Sequence, residues 1–289
     1  MSEEIQLLPI RTGSSGNCSI ITDGETTLLL DAGIPFKWIY KGLELLHLRS
    51  NQIDGILISH GHIDHIHGLP VLLNNLNIPI YTGQGTVDTF LEGPTSDRRW
   101  RKIAQKSIIL EPHDNERIHT LEINVFNTYH DSPDSFGFRI SNDKVALAFI
   151  SDTGRATEDM ISFSSNADLL FVESNHDKEL LKTSGRPPFL KRRIRATHLS
   201  NDQMISLVKN LQGRKTKGVV LNHLSQDCNT HRHVKREVRE ACKKYSKLGR
   251  LRWFISPRYD FSEHLAVSSS HLKKKTNHGF EIKLPQTRL

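Results

Sequence analysis

The chain has 289 residues, of which 36% are hydrophobic and 25% charged; this is enough apolar material for one sizeable core or two small ones and excludes general disorder. It has no apolar run long enough to span a membrane, no basic-then-apolar leader and only three widely spaced cysteines, so we expect a cytoplasmic protein without membrane contact, disulfide framework or cysteine zinc site. Residues 1–150 contain 12 basic and 18 acidic side chains (net −6), whereas residues 151–289 contain 27 and 14 (net +13).

Short apolar runs bounded by turn residues predict strands in the first half of the chain. These strands are Ile5–Ile10, Ser19–Thr22, Thr27–Leu30, Ile53–Ile58 and Ile78–Tyr81. Helical spacing predicts helices over Pro35–Leu46 and His65–Leu76. Later strands are predicted over Leu121–Tyr129, Gly137–Ile140, Val145–Ile150, Leu169–Val172, Gly218–Leu221 and Leu251–Ile255. Hairpin-like strands followed by strands mixed with helices predict α/β (α+β) layered sheets flanked by helices.

The pattern changes near the end of the chain. We expect a single domain over residues 1–256 and a C-terminal extension over residues 257–289 that frays or is partly disordered. Before it, residues 183–195 form a turn-rich basic stretch that a central strand could not contain. His231–Lys244 has the spacing of an amphipathic basic helix.

The sharpest feature is a run of potential metal ligands directly after the strand Ile53–Ile58. The run consists of His60, His62, Asp64 and His65. A strand end that leads into a tight turn and a helix start can aim imidazoles at one point, and Gly61 lets the backbone turn closely. Neutral imidazoles and a carboxylate are the ligand set of hydrolytic zinc, manganese or iron centres. The sequence therefore predicts a metal site here.

The spacing His-x-His-x-Asp-His after a strand resembles the signature of the metallo-β-lactamase fold, a four-layer αβ/βα sandwich with a metal centre between its sheets. Asp31 resembles the family's early strand-terminal aspartate, a supporting or structural residue. His130, Asp152 and His223 each follow a predicted strand in the family's order. The resemblance implies two divalent ions, Zn²⁺, Mn²⁺ or Fe²⁺. Their implied ligands are His60, His62 and His130 for one ion, Asp64, His65 and His223 for the other, and Asp152 between them.

Further segments resemble the YycJ (WalJ) branch of that family, bacterial proteins regarded as exonucleases. They are the Gly-Ser-Ser-Gly-Asn-Cys loop within Thr12–Cys18, Glu173–Asp177, the stretch from Lys191, Thr197–Asn201 and Asn222–Ser225. The resemblance covers residues 12–229 and implies a metal-dependent phosphodiesterase, with DNA favoured over RNA as its partner. Two features depart from the branch: Arg11-Thr12 before the loop, and the extension from Pro257 onward.

Several residues have candidate roles beyond metal binding. His198 resembles the proton-donating histidine of ribonuclease Z relatives, and it is also the alternative to His223 as the late metal ligand. Glu173 and His176 would orient His198, contact substrate or form a buried structural pair. In the implied mechanism, a hydroxide held by the two ions and oriented by Asp64 attacks phosphorus, and His198 protonates the leaving oxygen.

Phosphate contacts are predicted in two places. The loop after the first strand offers N–H groups and the side chains of Ser14, Ser15 and Asn17, although a tight turn that merely needs glycine explains it equally well. The basic stretch offers Lys191, Arg192 and Arg193 to backbone phosphates, and ordinary surface charge is the alternative. The basic half of the chain is expected to attract nucleic acid, with a solvated surface as the alternative.

Two other functions stay open at this point. One is hydrolysis of a small ester, lactone or cyclic phosphodiester, and the other is nucleic-acid binding without catalysis. Only 71 positions separate Asp152 from His223, which leaves no room for the large inserted domain of ribonuclease J relatives. The oligomeric state and the end polarity of cleavage are not indicated by the sequence.

Overall fold

The computed structural model describes residues 2–92, 98–256, 258–275 and 280–284. Within these ranges, the first sheet has the strand order β15-β14-β1-β2-β3-β4-β5-β6. Its strands are β1 (Glu4–Arg11), β2 (Cys18–Thr22), β3 (Thr27–Leu30), β4 (Gly55–Leu57), β5 (Ile80–Thr82), β6 (Ser107–Ile109), β14 (Leu265–Ser268) and β15 (Leu272–Lys274). The strands from β3 to β6 run parallel, and the others pair antiparallel.

The second sheet has the order β16-β13-β12-β11-β10-β9-β8-β7. Its strands are β7 (Asn115–Ile118), β8 (Leu121–Asn127), β9 (Phe136–Ser141), β10 (Ala146–Ile150), β11 (Leu169–Glu173), β12 (Gly218–Asn222), β13 (Arg252–Ile255) and β16 (Phe280–Glu281). The strands from β10 to β13 run parallel. Such strands are buried on both faces, which explains their continuous apolar runs.

Helices lie between the strands. They are α1 (Phe36–Leu45), α2 (Ile63–Ile66), α3 (Leu69–Asn75), α4 (Gln84–Glu92), α5 (Arg98–Lys106), α6 (Glu158–Ser164), α7 (Lys178–Thr183), α8 (Pro188–Thr197), α9 (Asn201–Leu211), α10 (His231–Lys244) and α11 (Ser246–Gly249), with a short 3₁₀ turn at Ser50–Gln52. In the described part of the chain, none of them is both long and apolar enough to cross a membrane.

Three apolar clusters define four layers. The middle cluster joins inward side chains of both sheets, such as Leu28, Phe138 and Val220. A second cluster packs α6, α9 and α10 on the outer face of the second sheet, and a third packs α1, α3 and α5 on the outer face of the first. This is the helix–sheet–sheet–helix sandwich that the sequence resemblance implied, and the fold prediction is confirmed.

Two helix predictions need correction. The expected helix His65–Leu76 is two helices, because the N–H of Gly68 donates to Ala32 O, 2.8 Å away, and a Cβ at this glycine would meet Ile34 O at 2.1 Å. The basic stretch 183–195, expected to be turn-rich, is mostly helix α8. Its prolines fit there because proline is tolerated at the first helical position, where its missing N–H has no intrahelical partner.

The segment after residue 257 also differs from the expected fraying tail. Its described residues supply β14, β15 and β16, and β14 pairs along β1 from Glu4 to Leu7. Leu265, Ala266 and Val267 are fully buried. The short, half-polar strands there gave no clear alternation, so long-range pairing rather than local pattern makes them strands. The rest of the predicted extension lies outside the described residues.

Candidate metal centre

The candidate site residues follow the carboxyl ends of parallel strands in both sheets. They are Asp31 after β3, His60 after β4, Asp152 after β10, Glu173 at the end of β11 and His223 after β12. Open α/β sheets bind ligands at this edge because chain turns leave side chains free there. Asp31, Asp152 and His223 have positive φ angles of 58°, 44° and 51°. Non-glycine residues rarely adopt this strained conformation, and such residues concentrate at functional sites.

Three histidines direct ring nitrogens at one another on one side of the site. His62 Nδ1 lies 3.0 Å from His60 Nε2 and 3.2 Å from His130 Nε2. The other nitrogens of two of these rings have oxygen partners: His130 Nδ1 donates to Thr197 O at 2.8 Å, and His60 Nδ1 lies 3.1 Å from Ser59 Oγ. Converging nitrogens whose rings are fixed from behind are the arrangement of metal-binding histidines, so this group fits a divalent cation.

Asp152 lies between this group and a second one. Its Oδ2 is 3.1 Å from His65 Nε2 and 3.5 Å from His60 Nε2, while its Oδ1 contacts His223 Nδ1. The Nε2 atom of His223 is buried, has no hydrogen-bond partner among the described residues and lies 3.8 Å from Asp64 Oδ2. A buried nitrogen without a partner is costly unless a ligand satisfies it, and a cation would do so.

The carboxylates create a negative field inside this buried cluster. Burial holds the pKa of His60 well below its usual value, so its ring is neutral, as a metal ligand must be. Burial also opposes charge on His65, but Asp31 and the other carboxylates around it outweigh this and hold its pKa well above the usual value. Burial is likewise outweighed at His223, where Asp152 raises the pKa to about 10. The cluster therefore favours added positive charge.

Glu173 joins the two late histidines. Its Oε1 lies 2.5 Å from His198 Nδ1 and 3.2 Å from His223 Nδ1, and its Oε2 accepts hydrogen bonds from the N–H groups of Thr153 and Leu199, both at 3.1 Å. Burial opposes its charge, yet the nearby His198 and the side-chain hydrogen bonds with His198 and His223 lower the pKa of Glu173 to about 2. An ionised Glu173 fixes the orientation of both rings. The rings of His130 and His198 pack edge to face, with centroids 4.9 Å apart.

The loop predicted to hold phosphate has a buried and an exposed part. Asn17 is buried and its Nδ2 lies 3.3 Å from Asp64 Oδ2 and 3.0 Å from His65 Nε2, while its N–H donates to Asp64 O. Ser14 and Ser15 are exposed at the tip. The structure thus places Asn17 against two candidate ligands and leaves the two serines facing solvent.

The basic residues on α8 have different neighbours. Arg193 pairs with Asp131 through two hydrogen bonds of 2.5 and 3.1 Å, and Asp131 Oδ1 is 3.3 Å from the ring of the preceding histidine. This places Arg193 at the rim of the metal centre. Lys191 donates to Lys182 O at 2.7 Å, and Arg192 is exposed.

His176 does not join the group around Glu173. Its backbone forms a bridge with Ser200, its side chain is buried, and its Nδ1 has no partner in the described part of the structure. It borders a cavity of about 360 Å³ that is also lined by Lys178 and Arg195. The alternative in which His176 and Glu173 form a buried hydrogen-bonded pair has no such bond to support it among the described contacts.

Two contributors were missed by the sequence reasoning. Ser59 Oγ donates to the carboxylate of Asp31 and also lies 3.1 Å from the Nδ1 atoms of both His60 and His65. Asp131 links a candidate ligand to Arg193. Ser59 immediately precedes His60, and Asp131 immediately follows His130. Their position next to a predicted ligand was the feature of the sequence that could have identified them.

Comparisons with known proteins identify related sequences. A family model described as the beta-lactamase superfamily domain matches residues 26–223. The protein named exodeoxyribonuclease WalJ from Streptococcus pneumoniae serotype 2 (strain D39) is 30% identical over 222 residues, which cover 76% of this chain and 81% of that protein. Exodeoxyribonuclease YycJ from Bacillus anthracis is 29% identical over 225 residues, covering 76% and 82%.

A solved structure supports the fold. The metallo-β-lactamase fold protein YhfI from Bacillus subtilis superposes with a TM-score of 0.66 at 18% identity, and the alignment covers 90% of this chain and 99% of that one. The family model covers more than half of the present chain, including all seven candidate metal ligands. The chain therefore belongs to the beta-lactamase superfamily and has its metallo-β-lactamase fold.

Proposed function

We propose that this protein is a metal-dependent phosphodiesterase that acts as a DNA exonuclease. The observation that supports this most directly is the set of three potential metal-binding groups joined by His60 and Asp152. A catalytic centre with two ions needs such shared ligands, whereas a structural zinc site closes around one ion with four. The names of the relatives from Streptococcus pneumoniae and Bacillus anthracis supply the reaction class.

We assign two divalent ions to the residues as follows. The nitrogens of His60, His62 and His130 would bind one ion, and Asp64, His65 and His223 would bind the other. Asp152 would bridge them, which is supported by its two oxygens facing different groups. The choice of His223 over His198 as ligand is supported by the buried, unpartnered Nε2 of His223 beside Asp64. The His/Asp ligand set suits Zn²⁺, Mn²⁺ or Fe²⁺.

Residues of the chain would orient the attacking water and supply a proton to the leaving group. When bound, the ions would activate water and neutralise charge that develops on the phosphate. Asp64 would accept a hydrogen bond from the attacking water, because its side chain is partly exposed at the centre. Glu173 fixes the orientation of the His198 ring through the 2.5 Å contact at Nδ1. The opposite nitrogen, Nε2, would then be the atom that donates a proton to the departing sugar oxygen.

The substrate is proposed to cross a rim of positive charge. Arg193 contacts the rim of the centre through Asp131, and Lys191 and Arg192 precede it on α8. These side chains would contact backbone phosphates, which fix the position of a strand without reading its sequence. Ser14 and Ser15, exposed at the tip of the loop whose Asn17 contacts Asp64, would also contact the strand.

The test is degradation of end-labelled single- and double-stranded DNA and RNA by the purified protein with added Mn²⁺ or Zn²⁺. Wild type should shorten DNA from one end, and Asp64→Ala and Asp152→Ala should each lower the rate by at least about 10³-fold, because each removes charge from the reacting centre. Asp143→Ala, in an exposed turn, is the matched control and should retain full activity.

Metal content separates the possible failures. Asp152→Ala should bind less metal per chain in elemental analysis, since its carboxylate faces both groups. Cleavage of RNA but not DNA would contradict the proposal that the substrate is DNA. A folded, metal-loaded wild type that cleaves neither polymer would contradict the nuclease function and favour a small ester, lactone or cyclic phosphodiester as substrate.

A further inference from the structure

A second cavity opens beside the metal centre at the same edge of the second sheet. Strand β13 pairs parallel with β12, and the N–H of Ser256 donates to Leu221 O at 2.9 Å, so Ser256 lies next to the turn that holds His223. Leu224 and Ser225, which directly follow His223, form part of the cavity wall. The cavity measures about 180 Å³, below the roughly 300 Å³ at which pockets for drug-sized molecules begin.

The wall contains a hydroxyl that lacks a partner. Thr12 lines the cavity and is only 4% exposed, and its Oγ1 makes no hydrogen bond with any described residue. A buried hydroxyl in this condition destabilises a protein unless something else satisfies it. Thr12 leads into the loop whose Asn17 contacts Asp64 and His65, so the cavity wall connects to the metal centre from this side as well.

The cavity is also positively charged. Arg258 lies on its wall and donates to Leu224 O, and a Cβ on Gly13 would stand 3.4 Å from its guanidinium carbon. Helix α10 begins at the wall with Thr230 as its N-cap, and a helix N-terminus attracts anions. None of the described residues that line the cavity is acidic.

One acid close to this arginine, Asp227, is already paired with another arginine. Hydrogen bonding with Arg186 is the main cause that lowers the pKa of Asp227, and Arg258 is close enough to add a smaller contribution. Both Asp227 oxygens, however, accept hydrogen bonds from Arg186, at 3.0 and 2.9 Å. Arg258 therefore keeps charge to offer to an anion in the cavity.

We propose that this cavity is a phosphate subsite that holds one phosphate of the nucleic-acid strand while another lies at the metal centre. The assignment rests on the proposed nuclease function. Hydroxyls of Thr12, Ser225 and Ser256, the guanidinium of Arg258 and the start of α10 supply donors for phosphate oxygens. Serine and threonine hydroxyls, arginine and helix N-termini are the usual phosphate partners in protein–DNA contacts. The phosphate is either terminal or internal.

The experiment measures binding as well as cleavage. Metal-loaded protein is titrated into short fluorescein-labelled single-stranded DNA with phosphorothioate linkages that resist cleavage, and anisotropy gives Kd. Thr12→Val and Arg258→Gln should each weaken binding about tenfold, as expected for a lost hydrogen bond to a charged group. Thr86→Val and Arg250→Gln are the controls: Thr86 is another buried threonine whose hydroxyl has no partner in the described chain, and Arg250 also donates to a backbone carbonyl. Both should bind within twofold of wild type.

Stability supplies a second readout. Thr12→Val should unfold at the same temperature as wild type or a higher one, because it removes an unsatisfied hydroxyl while keeping the shape of the side chain. Repeating the binding titration with 5′-phosphorylated, 3′-phosphorylated and unphosphorylated DNA shows whether the bound phosphate is terminal or internal. A variant effect confined to one phosphorylated end assigns the subsite to a terminal phosphate, and an equal effect on all three assigns it to an internal one.

The outcomes separate the two proposals. If wild type cleaves DNA and both variants bind it like wild type, the subsite is refuted and the nuclease function stands. If wild type binds DNA without cleaving it and the variants bind more weakly, the subsite stands and the nuclease function is refuted. If wild type neither binds nor cleaves DNA, both are refuted.

Discussion

Two of the buried atoms without partners lie in the ligand sites that we propose. His223 Nε2 and Thr12 Oγ1 are both buried and unsatisfied among the described residues, and each lies in a group of polar side chains at the carboxyl edge of the second sheet. Burying such an atom without a hydrogen bond costs about 1–3 kcal/mol, so a protein keeps it when a bound partner repays the cost. We assign a cation to the first and a phosphate oxygen to the second.

The Nδ1 atom of His176 is also buried without a partner among the described residues. Its ring leads to a prediction about how stability depends on pH. Burial lowers its pKa to about 4, so between pH 6.5 and pH 4 the unfolded chain binds a proton that the folded chain excludes. The free energy of unfolding should therefore fall as the pH falls through this window. From pH 7 to pH 5 the loss due to this residue should be about 2 kcal/mol, since one pKa unit corresponds to about 1.4 kcal/mol.

The measurement is urea unfolding of wild type and His176→Gln at both pH values. Glutamine does not titrate, so the variant should lose about 2 kcal/mol less than wild type on acidification. His47→Gln, which removes an exposed histidine, should lose as much as wild type. An equal loss in wild type and His176→Gln would show that burial does not suppress the charge of this ring.

At the scale of elements, the turns after parallel strands hold the site by close backbone packing. Gly33 follows β3, and a Cβ on it would stand 1.6 Å from Asp64 O. The same carbonyl accepts the N–H of Asn17 at 2.7 Å, and the N–H of Gly33 donates to Asn17 O at 2.9 Å. Three segments of chain thus meet at one point where only glycine fits.

Gly33→Ala should therefore displace the start of α2, which carries Asp64 and His65. We expect the free energy of unfolding to fall by more than about 2 kcal/mol, because overlap with backbone atoms cannot be relieved by turning a side chain. Gly185→Ala is the matched control, since a Cβ there meets nothing within 4 Å, and it should change stability by less than about 0.5 kcal/mol. Denaturant titration of both variants and wild type measures these free energies of unfolding. A Gly33→Ala protein as stable as wild type would contradict this packing.

Local pattern was sufficient for some elements and not for others. The apolar residues of His231–Lys244 recur every three to four positions and predict α10 with its bounds, and Val234, Val238 and Cys242 are buried as that spacing requires. Strand β7 has the polar sequence Asn-Glu-Arg-Ile and lies at the edge of its sheet, so it has no apolar face to reveal it. Edge strands depend on a neighbour's hydrogen bonds, which no local pattern records.

At the scale of the whole molecule, the end of the chain closes both sheets. Strand β14 covers β1 in the first sheet, while β16 pairs with β13 in the second. The buried side chains of Leu265 and Val267 join the cluster between the sheets. The C-terminal segment also brings Arg258 to the cavity beside the metal centre.

A chain that ends at Ser256 should consequently fail to fold cooperatively. It would expose the edge of β1 and remove several kcal/mol of burial, at roughly 1.5–3 kcal/mol for each large apolar side chain. Far-UV circular dichroism on heating and size-exclusion chromatography should show a broad transition and aggregation. A chain that ends at residue 284, and so keeps β14 to β16, is the control. Cooperative unfolding of the shorter chain at the wild-type temperature would support residues 1–256 as an independent domain.

The sequence by itself determined the types of the candidate metal ligands and the strand that presents the first four of them, because His60, His62, Asp64 and His65 are neighbours in the chain. It also placed Asp31, His130, Asp152 and His223 after strands, since strand runs are local and apolar. Only the tertiary structure decided which nitrogens converge, that Glu173 joins His198 to His223, and that Thr12 and Arg258 share a cavity. These contacts join residues 25 to about 250 positions apart, and distance in space between such residues depends on sheet order and packing.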